Sequence, residues 1–115
     1  MRFKQPLIDL EVWERDLAIL ECEVPEDSVP ITWYLEDRRL QPGAKYGMEE
    51  WGTKRRLTIR DIGVDDDGIY LCEMPDGGRS IAEVAVKGKS GWSNQIAVVL
   101  KVCKVVNLFS KLLFM

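Results

Sequence analysis

The chain has 115 residues, 46% apolar and 30% charged, which is room for one ordinary domain and the balance of a soluble globular protein rather than a disordered one. Its net charge of −3, with both signs interspersed, excludes the basic excess that marks nucleic-acid modules. It holds three cysteines, no Cys-x-x-Cys pair and no histidine, which excludes the usual structural zinc sites and removes the commonest general base.

The amino-terminal run "MRFKQPLIDLEVWERD" has no apolar core of signal-peptide length. Neither Asn94 nor Asn107 begins an Asn-x-Ser/Thr sequon. The expectation is an intracellular protein, or a fragment whose signal lies elsewhere. From Leu7 to Val86 the sequence predicts a series of short strands. In "AILECEV", Ala18, Leu20, Cys22 and Val24 share one face, and Glu21 and Glu23 the other. "PEDSVP" (25–30) is a turn cluster. "ITWYL" places Ile31, Trp33 and Leu35 on one face, and "EDRRLQPGAKYG" (36–47) reads as a loop. "RRLTIRDI" turns Leu57 and Ile59 inward, with Ile62 following. "GVDDDG" is a turn, "IYLCEM" a strand with Tyr70, Cys72 and Met74 on one face, and "PDGG" (75–78) a tight hairpin. "RSIAEVAVKG" closes the series with Ala82, Val84 and Val86 inward. About seven strands with regular turns and no convincing helix predict an all-β, antiparallel two-sheet sandwich.

The pattern breaks after Gly88. "KSGWSNQ" is linker-like, and residues 96–115, "IAVVLKVCKVVNLFSKLLFM", are far more apolar than anything before them. Lys101, Lys104, Asn107 and Lys111 recur every three to four positions, a helical period with a narrow polar stripe.

Cys22 and Trp33 lie 11 residues apart, and Cys22 and Cys72 lie 50 apart. With "DDGIYLC" (66–72) this resembles the immunoglobulin fold, in which two facing cysteines meet over a buried tryptophan. "LEVWERDLAILECEV" and "LTIRDIGVDDDGIYLCE" resemble its intermediate, or I-set, type. That type is the building block of the giant muscle proteins, titin, obscurin and the myosin-binding proteins, and the phrasing is most similar to the obscurin and obscurin-like kind. The resemblance covers residues 3–88; the tail, 89–115, stands outside it and reads as an alternative ending of the reading frame. The resemblance implies a structural pin of Cys22, Trp33, Cys72, Tyr70, Asp66 and Gly68. Tyr70 would bond backbone upstream in its turn, Asp66 would hold that turn, and Gly68 would fit where a side chain does not. It also implies that Cys22 and Cys72 face each other as free thiols in a reducing cytosol. Arg15 departs from the family, which commonly has glycine there.

No catalytic site, cofactor or metal is expected. The carboxylates of 65–67 read as a solvated turn and fail the spacing of a calcium loop. "KRR" (54–56) with Arg38 and Arg39 reads as a solvated strand facing acidic clusters rather than a phosphate site. Leu17 and Ile19 are expected to point outward, with Trp13 neighbouring them in sequence. The resemblance implies protein partners, Ig domains of other sarcomeric proteins, joined edge to edge. The expected edges are Ile8, Leu10 and Val12 on the early strand and Ile81, Glu83 and Ala85 on the last. The tail, with Lys101, Cys103, Lys104 and Lys111, reads as an incidental extension, as an interfacial membrane helix with Cys103 open to acylation, or as a helix for a partner groove. The expected function is a non-enzymatic binding module of a cytoskeletal adaptor in muscle. A membrane-associated binding protein is the alternative, and an extracellular receptor domain the third reading.

Overall fold

A computed structural model describes residues 1–88. Eight strands form two sheets: β1 (Leu10–Trp13), β2 (Ala18–Glu23), β3 (Thr32–Leu35), β4 (Arg38–Arg39), β5 (Tyr46–Trp51), β6 (Lys54–Ile59), β7 (Gly68–Glu73) and β8 (Arg79–Lys87). The larger sheet has the order β1-β8-β7-β3-β4 and the smaller β2-β6-β5. All pairings are antiparallel except β1 with β8, which is parallel. That exception follows from how the chain enters. Gln5 bridges Glu23 of the smaller sheet. The chain then crosses at Pro6, buries Leu7 between the sheets, and joins the larger sheet beside β8.

Alternation fills the space between the sheets. β2 turns Ala18, Leu20 and Cys22 inward, β6 Leu57 and Ile59, β3 Trp33 and Leu35, β7 Tyr70 and Cys72, and β8 Ala82, Val84 and Val86. Each fully buried leucine or isoleucine contributes roughly 1.5–3 kcal/mol relative to exposure. A second cluster of Val24, Val29 and Met74 closes one end, with Phe3 and Ile31 packed against both.

Two expectations are corrected here. The stretch from Glu36 to Gly47 is not all loop: Arg38–Arg39 pair with β3, and β5 begins at Tyr46. β5 carries Gly47, Glu49 and Glu50, residues that strands usually avoid. It holds because it is a sheet edge paired only with β6, with Met48 and Tyr46 packed against the core. The second correction is Arg55, which does not lie on a solvated face. It is 2% exposed, because it continues the inward parity of Leu57 and Ile59.

Candidate functional site

The pin residues come together in the core. Cys22 and Cys72 are buried free thiols with their sulfurs 3.5 Å apart, and Trp33 lies directly across from Cys72 in the β3–β7 ladder. The contact with Cys22, and then burial, push the Cys72 thiol up, so it is no nucleophile at neutral pH. The Tyr70 hydroxyl donates to the Asp66 carbonyl at 2.6 Å. Burial, followed by the charge of Asp66, pushes that phenol up. Asp66 Oδ2 accepts from the Gly63 N–H and from Lys45 Nζ, each at 2.7 Å, in the 3-10 turn Val64–Asp66. Gly68 has φ +153°, and a Cβ there would sit 2.7 Å from Glu36 Oε1. Arg15 has φ +72°, a left-handed conformation in which glycine costs least. All of this is architecture.

Sequence reasoning missed the latch around Arg55. Its guanidinium donates to the carbonyls of Asp27 (2.8 Å), Val29 (2.9 Å), Gly52 (2.8 Å) and Lys54 (2.8 Å). It thereby ties the 26–29 turn to the β5–β6 turn. The signal was the parity of "RRLTI": an arginine at an inward position needs several acceptors. Its neighbour Arg56 points outward, bonds Glu21 and stacks over Trp51 at 4.6 Å.

The two expected edges turn out to be one joint. β8 lies between β1 and β7, with Val84 opposite Leu10, Ala85 opposite Glu11 and Val86 opposite Val12. The Glu83 N–H is taken by Asp9 Oδ1 at 2.8 Å. Ala85 and Glu83 are therefore not an open edge. β1 and β8 lie at opposite ends of the described chain, and no local pattern in the sequence signals their pairing. Of the two expected edges, the outer side of β1 is the one left open. Leu10 and Val12 are half-buried beneath it, while Ile8 (68% exposed) and Trp13 (46%) flank it. Leu17, Ile19 and Ile81 also point outward. The tail residues Lys101, Cys103, Lys104 and Lys111 lie outside the described residues. Among the described residues no helix is long and apolar enough to cross a membrane, and no three side chains of metal-binding type converge.

The sequence matches the family "Immunoglobulin I-set domain" over residues 1–86. The chain belongs to that family. Titin of Drosophila melanogaster is 37% identical over 73 residues, which cover 63% of this chain and, to the nearest per cent, 0% of titin. The fast-type myosin-binding protein C of Gallus gallus is 37% identical over 68 residues, covering 59% of this chain and 6% of the relative. Vascular endothelial growth factor receptor 3 of Coturnix coturnix is 29% identical over 112 residues, covering 94% of this chain and 8% of the receptor. The chain thus spans a small fraction of the curated relatives it matches. Among solved structures, a complex of titin M10 with an obscurin-like 1 Ig mutant superposes with a TM-score of 0.71 at 19% identity, covering 77% of this chain and 94% of that one. This I-set domain is of the titin and myosin-binding protein C type, a non-enzymatic module.

Proposed function

We propose that this I-set domain is a protein-binding module of a sarcomeric scaffold of the obscurin or obscurin-like kind, and that it joins an Ig domain of another such protein through the outer edge of β1. The observation that carries the reading is that edge: a strand paired on one side only, flanked by exposed Ile8 and Trp13. Backbone donors and acceptors along it supply affinity, and the two flanking side chains set register. Trp13 has the character of a hot spot, a large ring whose face is already held by Lys87 Nζ at 5.9 Å. The likeness to titin and myosin-binding protein C supports the setting, and the titin–obscurin-like complex among the structural neighbours supports the kind of partner.

The test is localisation and binding together. The full chain, fused to a fluorescent protein in cultured muscle cells, gives regular sarcomeric bands. The double variant Ile8→Lys, Trp13→Lys leaves folding intact and makes the fusion diffuse. Calorimetry of the full chain against titin and myosin-binding protein C Ig domains shows binding that the double variant loses by tenfold or more, about 1.4 kcal/mol. Diffuse wild-type signal, or bands unchanged in the variant, would overturn the edge reading.

A further inference from the structure

We propose that the outward face of the five-stranded sheet is the docking surface for the chain's own C-terminal tail, residues 96–115. The ladder registers set Tyr34 opposite Leu71 and Leu71 opposite Ile81, an apolar row across three strands. Ile69 extends it, and Ile81 is 56% exposed. Beside the row lies a cleft of about 330 Å³ lined by Tyr34, Glu36, Asp37, Leu71, Glu73 and Arg79. A second, of about 250 Å³, lies on the same face between Asp9, Leu10, Glu11, Glu83 and Ala85. Six carboxylates and one guanidinium line the two clefts. Arg39 and Lys87 stand at the rims, the latter paired with Glu11 at 2.9 Å. The opposite outer face has a smaller acidic excess, with Glu21, Glu23 and Glu49 against Lys54 and Arg56.

The tail has the complementary chemistry. Residues 1–88 hold 12 of the 16 basic residues and all 19 acidic ones, a net charge of −7; residues 89–115 hold the other four lysines and no acid, +4. Fifteen of the 20 residues from 96 to 115 are apolar, so an exposed tail is a self-association hazard. An apolar row rimmed with carboxylates meets both its properties, and its six carboxylates outnumber the three on the small sheet's outer face. The reach also suffices. The seven linker residues 89–95 span up to roughly 24 Å. The nine residues of β8 run about 26 Å end to end, so a tail leaving Gly88 can return along most of that strand. Docking there leaves the outer edge of β1 open, so the inference does not depend on the edge reading.

Cys103 gives the test, because Cys22 and Cys72 are buried. A nitroxide is attached to Cys103 in the full chain, and paramagnetic loss of backbone amide signals is read by NMR. The expected result is loss at Tyr34, Leu71 and Ile81, with Ile19, Arg56 and Trp51 retained. Lys101→Glu with Lys104→Glu and Lys111→Glu restores the lost signals, and so does Ile81→Asp in the surface row. Uniform loss over both sheets, or none, overturns the proposal. Loss that appears only when labelled and unlabelled copies are mixed assigns the tail to a second copy and overturns it equally.

Discussion

Replacing Arg55 with methionine isolates the latch that the sequence concealed. Methionine keeps the aliphatic stem and removes the guanidinium. Five donor contacts at 2.8–3.3 Å to four backbone carbonyls are lost. A hydrogen bond to a charged group contributes about 1.5–3 kcal/mol, and a buried acceptor left unmet costs roughly 1–3 kcal/mol. Two of the bonds reach the Val29 carbonyl in buried surroundings; the others go to turns that water can partly resolvate. The expected destabilisation is about 3–5 kcal/mol, a large share of the 5–15 kcal/mol typical of a domain. In a domain of this size it lowers Tm by on the order of 15–30 °C. Arg55→Lys keeps the charge but has one nitrogen, which cannot fork to four carbonyls, so it loses about half as much. Glu50 lies 3.4 Å from Arg55 Nε but is 67% exposed, and Glu50→Gln costs under about 1 kcal/mol. Urea denaturation of the four proteins, followed by tryptophan fluorescence, measures all of this. The carbonyl latch is refuted if Arg55→Met costs less than about 1 kcal/mol, or if Glu50→Gln costs as much as Arg55→Met; the second result would make the ion pair the source.

Tyr70→Phe removes the 2.6 Å bond to the Asp66 carbonyl and costs about 1–2 kcal/mol at neutral pH in the same assay. The folded phenol titrates above its ordinary value near 10, so the protonated form is favoured by folding. That stability is fully present below about pH 10 and declines above it, by at most about 1.4 kcal/mol per pH unit. A pH series of denaturation midpoints in Tyr70→Phe lacks that component of the alkaline decline. Gly68→Ala forces a Cβ toward Glu36 Oε1 and Leu35 Cδ1 at φ +153°, and lowers stability by about 1–3 kcal/mol; an unchanged urea midpoint would show that the loop yields freely. Cys22 and Cys72, both buried, react with an aromatic disulfide reagent only through unfolding, so their labelling rate rises with urea in step with the unfolded population. A rate independent of urea would mean that the core opens locally.

Legibility in the sequence followed side-chain parity. β2, β6, β7 and β8 were readable because apolar residues recur at every second position on their inward faces, whatever the outward positions hold, and the turns between them contain Gly, Pro or Asp. β5 was not, because an edge strand with one ladder partner tolerates Gly47, Glu49 and Glu50. Arg55 was misplaced because its charge outweighed its parity, and the acceptors that make burial affordable come from turns 26–29 and 52–54, which no local pattern joins. The β1–β8 pairing was missed for the opposite reason. Both strands were visible, yet their meeting depends on the crossing at Pro6, a three-dimensional event. The pin spacing of Cys22, Trp33, Tyr70 and Cys72 was legible because it reflects which strands face each other.

β8 shows why the pin could not disclose the function. Its even positions, Ser80, Ala82, Val84 and Val86, are buried and serve the fold. Its odd positions, Ile81, Glu83 and Ala85, look outward, with Ile81 opposite Leu71 and Glu83 opposite Ile69. A change at an even position acts through stability, as a cavity or a strain in the core. A change at an odd position leaves the core untouched and alters only what the sheet presents. The two sets alternate along one strand, so a measurement that separates them is decisive. Ile81→Asp should abolish tail contact and lower the unfolding free energy only by what docking adds to the folded state, on the order of 1 kcal/mol. Val84→Ala should cost about 1–3 kcal/mol and leave tail contact unchanged in the folded fraction. If Ile81→Asp unfolded the domain, the outward row would be part of the core's support, and neither surface could be assigned a binding role independent of the fold.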